Sequence, residues 1–371
     1  MSDAELTFWT RAPFVFWSFV FFVFGSVVGS FLNVCIYRMP RDLSLAKPGS
    51  QCPKCDFAIP WRLNIPIMSW LWLRGRCRQC AALISPRYLT VELLTGLAFL
   101  ASWLAFGAQT TPGVLLAVTW GAVLAGLIAA TFIDFEHFII PDQITLGGVA
   151  FGFIVSAALP ALHHAGRPAD SLMSSGLGIL IGAGSVFAVL QLGKLLFGRL
   201  RVPLGEGESV IFTESALHLP DEVAPYEEIF FRNSDTIRLH AKRVELVDRC
   251  YKNVDVALSP KRLLIGDESF DPETVPFIKA ETDELVIPRE AMGLGDVKFM
   301  AAIGAFVGWQ GALFSLMASA VIGAAVGVGL IAIGRRDWSA RLPYGPYISL
   351  AAVIWIFFRE EILTAWLPLG Q

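Results

Sequence analysis

The sequence predicts an all-α, polytopic membrane bundle of about eight transmembrane helices, with a cytoplasmic four-cysteine zinc loop and a small β-rich inserted domain. Three observations predict this class. Of the 371 residues, 55% are hydrophobic and only 16% are charged, which is more apolar than an ordinary soluble chain. The apolar residues gather into runs of roughly 18 to 24, long enough to cross about 30 Å of hydrocarbon. The charges concentrate in two stretches, 38–86 and 199–292. The aromatic content of 12% fits lipid-facing helices and interfacial belts. The lipid bilayer is therefore an expected partner, and no nucleic-acid partner is expected.

The first run, Phe14 to Tyr37, is too long for a cleavable signal and reads as a retained helix, so residues 1–37 form the first unit. The loop 38–86 carries Arg38, Arg41, Lys47, Lys54, Arg62, Arg74, Arg76 and Arg78 against Asp42 and Asp56. An excess of basic residues marks a cytoplasmic loop. Residues 87–198 hold the second to fifth spans, near 87–106, 113–133, 140–160 and 172–197. Residues 293–371 hold the last three, near 297–308, 312–333 and 344–366, with the boundary between the first two in Gly308–Gly311. Alternation puts 107–112 outside, 134–139 inside and 161–171 outside, where His163 and His164 are expected to be solvated. Lys194, Arg199, Arg201, Arg335, Arg336 and Arg341 then fall inside. The N-terminus is outside, and Asp134 and Asp296 both lie at the cytoplasmic face.

Residues 199–292 alternate in strand fashion at Glu228–Phe231, Thr236–His240, Val244–Val247 and Arg262–Ile265, with turns at Arg232–Asp235 and Gly266–Asp267. This reads as a β-rich cytoplasmic domain of roughly 90 residues, enough for its own core. It is acidic by about seven charges.

Within the basic loop, Cys52-Pro-Lys-Cys55 and Cys77-Arg-Gln-Cys80 are separated by roughly 21 residues, the spacing of a four-cysteine zinc site. Lys54, Arg76 and Arg78 offset the negative charge of four thiolates around the ion. The site either staples a loop with little core of its own or has a direct chemical role; four sulfur ligands leave no open position for a water and favour the first. Cys35 and Cys250 stand alone.

Gly293-Leu-Gly-Asp296-Val-Lys298 sets an acid between a flexible glycine pair and an apolar run. An ionisable group at the mouth of a membrane segment is a functional-site candidate. Asp134 occupies a similar place at the end of another apolar run, followed by Glu136, His137, Pro141 and Asp142. Pro141 suits the start of a new helix, with Asp142 as its expected cap. The acids are either boundary residues or a pair that holds a water between them, one carboxylate as base and the other as proton donor.

Several stretches resemble the bacterial prepilin peptidases, or type IV leader peptidases. They are Gly25–Val34 with Arg38–Pro40, the two cysteine pairs, Asn64–Trp70, Ile84–Tyr88, Val91–Gly96, Ile133–Asp142, Gly293–Lys298 and Pro343–Pro346. The resemblance covers nearly all of the chain outside 199–292. It implies a membrane aspartic endopeptidase of the bacterial inner membrane that cuts the basic leader from type IV prepilins or type II secretion pseudopilins. The cut falls after a glycine, on the cytoplasmic side. By motif matching, Asp134 and Asp296 become the catalytic pair. The cysteine loop is similar to that of bifunctional members, which also N-methylate the new N-terminus using S-adenosylmethionine. No glycine-rich fingerprint marks a site for that methyl donor.

The insert departs from the family pattern. It rejoins the membrane part a few residues before Asp296 and is expected either to be a tolerated insertion or to dock the basic leader or a secretion partner. Two rival readings are a proton-coupled transporter and a non-catalytic assembly protein of a secretion system. The roles of Asn33, Arg38 and Glu92 stay open.

Overall fold

The computed structural model describes residues 10, 12–197, 199–205, 208–220, 223–230, 235–275, 277–288, 293–333 and 342–366. It divides into two compact units: Met1–Phe187 with Leu294–Gln371, and Ala188–Gly293.

The first unit is helical. Its long helices are α1 (Phe14–Arg38), α2 (Pro86–Phe106), α3 (Thr111–His137), α4 (Asp142–Ala158), the greater part of α5 (Pro168–Phe197), α6 (Leu294–Ala332) and α7 (Gly345–Trp366). Five of these, α1, α2, α3, α5 and α6, are long and apolar enough to cross a membrane, and α4 is a shorter apolar helix. The chain is thus a multi-pass membrane protein in composition and form.

Local sequence sets the helix limits. Ser85 accepts the Arg87 N–H and Pro86 opens α2, while Thr110 accepts the Gly113 N–H ahead of α3. α3 stops where Phe138 turns left-handed, its N–H returning to the Asp134 carbonyl. α1, α2 and α3 share one core of Phe21, Ile36, Val91, Phe99, Trp103 and Ile133. The Trp103 ring stacks on Phe14 and on Phe21, at 4.9 and 4.8 Å.

The boundary expected in Gly308–Gly311 is a bend inside α6. Gly308 has φ 72° and ψ −179°, a conformation closed to residues with a Cβ. His163, expected to be solvated, instead supports this bend. Its Nε2 lies 3.0 Å from Ser156 Oγ, its ring bonds the Ala305 carbonyl, and its Nδ1 would lie 3.7 Å from a Cβ placed at Gly308. The bend disrupts the helix ladder there, and the imidazole satisfies a carbonyl one turn before it.

The second unit holds one antiparallel sheet. Its strands are β1 (Arg199–Pro203), β2 (Ser209–Thr213), β3 (Ala216–His218), β4 (Val223–Pro225), β5 (Ile237–Glu245), β6 (Cys250–Ser259), β7 (Arg262–Ile265), β8 (Glu268–Phe270) and β9 (Phe277–Pro288). The order is β4-β3-β2-β9-β5-β6-β7-β8, with β1 also on β9. β9 is the spine: its first half pairs β2, its second half pairs β1, and its other edge pairs β5. Val210, Phe212, Leu239, Leu258, Leu263 and Leu285 form the core of one face.

One expected strand is corrected. Glu228 and Ile229 of the expected strand Glu228–Phe231 lie instead in a helical turn, Tyr226–Ile229. Pro225 precedes it in an extended conformation suited to a helix start, and Tyr226 and Phe230, four residues apart, bring their rings to 5.4 Å. The expected turn at Arg232–Asp235 falls mostly outside the described residues, as do Phe231, Arg335, Arg336 and Arg341.

Candidate active site and cysteine cluster

Asp134 stands one turn from the end of α3 and is 5% exposed. Its Oδ2 accepts the backbone N–H of Gly345, the first residue of α7, at 2.8 Å. A side chain at position 345 would force the carboxylate to move: its Cβ would lie 2.8 Å from that same oxygen and 3.2 Å from Ile140 Cδ1. Glycine thus permits the close approach seen here. Asp296 lies in the first turn of α6 and is half-buried. It interacts electrostatically with Tyr344, the neighbour of Gly345. The Tyr344 hydroxyl is held 3.0 Å from Ser319 Oγ. A Cβ placed at Gly295, beside Asp296, would lie 3.8 Å from Ile140. Ile140 and the Tyr344–Gly345 step thus connect the surroundings of the two acids, which are about 160 residues apart in sequence.

Charged contacts brace the elements around them. Arg87 at the start of α2 pairs with Glu136, two residues beyond Asp134. Lys298 pairs with Asp142 at 2.6 Å and joins the start of α6 to the start of α4. Asp142 is not the helix cap expected from the sequence. Pro141 occupies that position without a side-chain hydrogen bond, and the Asp142 carboxylate turns to the lysine instead. His137 is half-buried, and its Nε2 has no hydrogen-bond partner among the described residues.

The cysteine loop forms two matching knuckles. Cys52, Cys55, Cys77 and Cys80 bring their Sγ atoms within 4.8 Å of one another, a group that could hold a metal ion. The pairs Cys52–Cys80 and Cys55–Cys77 are each separated by 3.9 Å. In each knuckle the residue after the second cysteine, Asp56 or Ala81, has positive φ and returns its N–H to the first cysteine's carbonyl. Isolated bridges, Gln51 to Ala58 and Arg76 to Leu83, close each knuckle. The backbone N–H groups of Cys80 and Gln79 point at Cys77 and lower that thiol to about 6. At Cys55 the Phe57 N–H acts in the same direction, but burial and the other three thiols outweigh it and push the group up to about 12. A set of sulfurs this close, with one already favouring the thiolate, has the donor chemistry for a soft or borderline cation.

Of the three residues left open by the sequence, Arg38 and Glu92 hold this loop to the helices and Asn33 joins two helices beside it. Arg38 donates to the carbonyls of Ser44 and Pro48, at 2.9 and 2.7 Å. Asn33 Nδ2 donates to the Tyr88 carbonyl at 3.0 Å, linking α1 to α2. Glu92 Oε2 accepts the N–H of Ile67 at 2.7 Å. Ile67 has φ 64°, an unfavourable conformation for a β-branched residue.

Comparison with known proteins gives the context for these features. The Bacterial Peptidase A24 N-terminal domain matches residues 23–106, and the Type IV leader peptidase family matches 121–207 and 274–328. A prepilin leader peptidase/N-methyltransferase of Aeromonas hydrophila is 28% identical, over 95% of this chain and 94% of the relative. The same description belongs to a Myxococcus xanthus protein that is 39% identical, over 48% of this chain and 56% of the relative. A type 4 prepilin-like proteins leader peptide-processing enzyme of Escherichia coli is 36% identical, over 51% of this chain and 71% of the relative. No solved structure matches. With both profiles matched in chain order, and similarity to the Aeromonas protein running nearly end to end, the chain belongs to the type IV leader peptidase family.

Proposed function

We propose that the protein is a bacterial inner-membrane endopeptidase that removes the basic leader from type IV prepilins or type II secretion pseudopilins, with Asp134 and Asp296 as its catalytic pair. The observation that carries the reading is the anchoring of buried Asp134 by the Gly345 N–H, directly beside the tyrosine that interacts with Asp296. The eight apolar segments span the membrane, the basic cysteine loop lies in the cytoplasm, and the scissile bond is presented on that side.

The substrate's segment around its cleavage-site glycine lies extended between the starts of α6 and α7 and the end of α3. An extended backbone offers a carbonyl that a helix would keep bonded. One carboxylate takes a proton from water as the oxygen bonds to the carbonyl carbon, and the other gives its proton to the carbonyl oxygen. The tetrahedral intermediate then breaks its C–N bond, and the departing amine takes a proton. The Gly345 N–H fixes one carboxylate throughout, so little reorganisation accompanies the reaction.

Zinc fits the cysteine cluster, because four sulfurs from two knuckles match its preferred tetrahedral, closed structural sites. There it would staple the loop. The relatives' descriptions also support a second activity, methylation of the new terminal amine. S-adenosylmethionine, when bound, supplies the electrophilic methyl group for that step.

Mass spectrometry of a prepilin peptide incubated with the purified chain tests this reading. A loss equal to the leader is expected, followed by a gain of one methyl group when S-adenosylmethionine is added. An unchanged peptide mass would favour the assembly-protein or transporter alternatives.

A further inference from the structure

A cavity of about 710 Å³ lies between the C-terminal end of α1, the start of α2 and the cysteine loop. Its volume is within the usual range for small-molecule sites. Neither Asp134 nor Asp296 is among its lining residues. Two of the groups lining it are poorly satisfied. Asn33 is 2% exposed, and its Oδ1 accepts no hydrogen bond among the described residues although its Nδ2 is used twice. A buried acceptor left in this state costs about 1–3 kcal/mol unless something donates to it. Glu92 is 8% exposed, takes hydrogen bonds from the Ile67 N–H and the Ser30 hydroxyl, and enters no ion pair among the described residues. A carboxylate out of water calls for a cation. Trp70 and Tyr88 supply aromatic surface on the walls, and Cys52 and Cys77 are part of the lining.

A ligand suited to this cavity carries a positive charge for Glu92, N–H donors for Asn33 and a flat ring for the aromatic walls. Resting on the methyltransferase reading above, we propose that this cavity is the S-adenosylmethionine site, separate from the aspartates. Glu92 faces the ligand's sulfonium charge and Asn33 Oδ1 takes one of its N–H groups. The cysteine cluster then acquires a role beyond stapling, because it builds one wall of the donor site.

Equilibrium binding to the detergent-solubilised full chain tests the assignment, with S-adenosylmethionine and its thioether product S-adenosylhomocysteine, which lacks the sulfonium charge, as probes. Glu92→Gln is expected to weaken the sulfonium ligand by roughly tenfold or more and to change the thioether little, as expected for a lost charge–charge contact in a desolvated site. Leu43→Trp, built from an exposed lining position, is expected to block both ligands. Circular dichroism of each variant checks the fold. Glu92→Gln weakening both ligands alike would make Glu92 a support for the Ile67 backbone only, and unaltered binding in Leu43→Trp would remove the ligand from the cavity. Either result overturns the site. If the wild-type chain methylates its product while both variants bind as it does, the methyltransferase reading stands and the site alone fails. A wild-type chain that neither methylates nor binds overturns both.

Discussion

A single backbone N–H carries much of the order at Asp134. The carboxylate is held by Gly345, and a Cβ there would sit 2.8 Å from the oxygen it binds and push it aside. Gly345→Ala should therefore displace the carboxylate while leaving substrate contacts largely intact. We expect kcat for leader removal to fall by roughly 10–100-fold with KM little changed, since small misplacements of reacting groups are costly. Steady-state cleavage of a prepilin peptide measures this split. Rate constants equal to wild type would mean that the contact is incidental. Asp134 itself was legible in the sequence, because an acid closing an apolar run is rare. Its partner was not. The donor lies 211 positions away in Pro343–Pro346, a stretch that carried the resemblance without showing which group its glycine N–H meets.

At the level of elements, two supports differ in how readily they could be read. The cysteine loop was legible because its two pairs repeat at metal-site spacing, and four ligands of one type specify a cluster almost without tertiary information. Chelation of the expected zinc should leave the helices intact and open residues 50–84 to protease. Metal analysis should give about one zinc per chain before treatment and almost none after it. Protection that persists without metal would show that the loop packs unaided. The bend in α6 was legible only as an uncertain boundary, and its brace was misread, because nothing local to His163 announces Ser156 or Ala305. Burial is the main cause that lowers the His163 imidazole to about 4, with smaller contributions from His164 and Arg359. The folded chain thus binds this proton less readily than the unfolded chain, whose histidine titrates near 6.5. Stability is complete above that value and declines as pH falls from about 6.5 toward 4. Thermal unfolding in detergent across this range should show the decline, and His163→Gln should flatten it. An equal slope in the variant would assign the pH dependence to other groups.

For the molecule as a whole, the sheet of residues 199–288 is built around a core of its own, which is why strand periodicity and a charge contrast foretold a separate β domain. Its topology was not foretold, because β9 joins three partners from distant parts of the segment. With an acidic excess of about seven charges, the domain is expected to attract a basic leader through long-range electrostatics. Replacing 199–292 with a short linker should raise the apparent KM for a prepilin severalfold, most clearly at low salt, while kcat remains near wild type. Unchanged KM at every ionic strength would make it a passive insertion. The account as a whole depends on two acids, far apart in the chain, acting on one peptide bond. Its most direct test is cleavage of a full-length prepilin in membranes by Asp134→Asn and by Asp296→Asn, each expressed and folded as the wild type. Each variant is expected to lose at least about a hundredfold in rate, the scale of a missing proton-transfer group. Near-wild-type processing by either one would contradict the account.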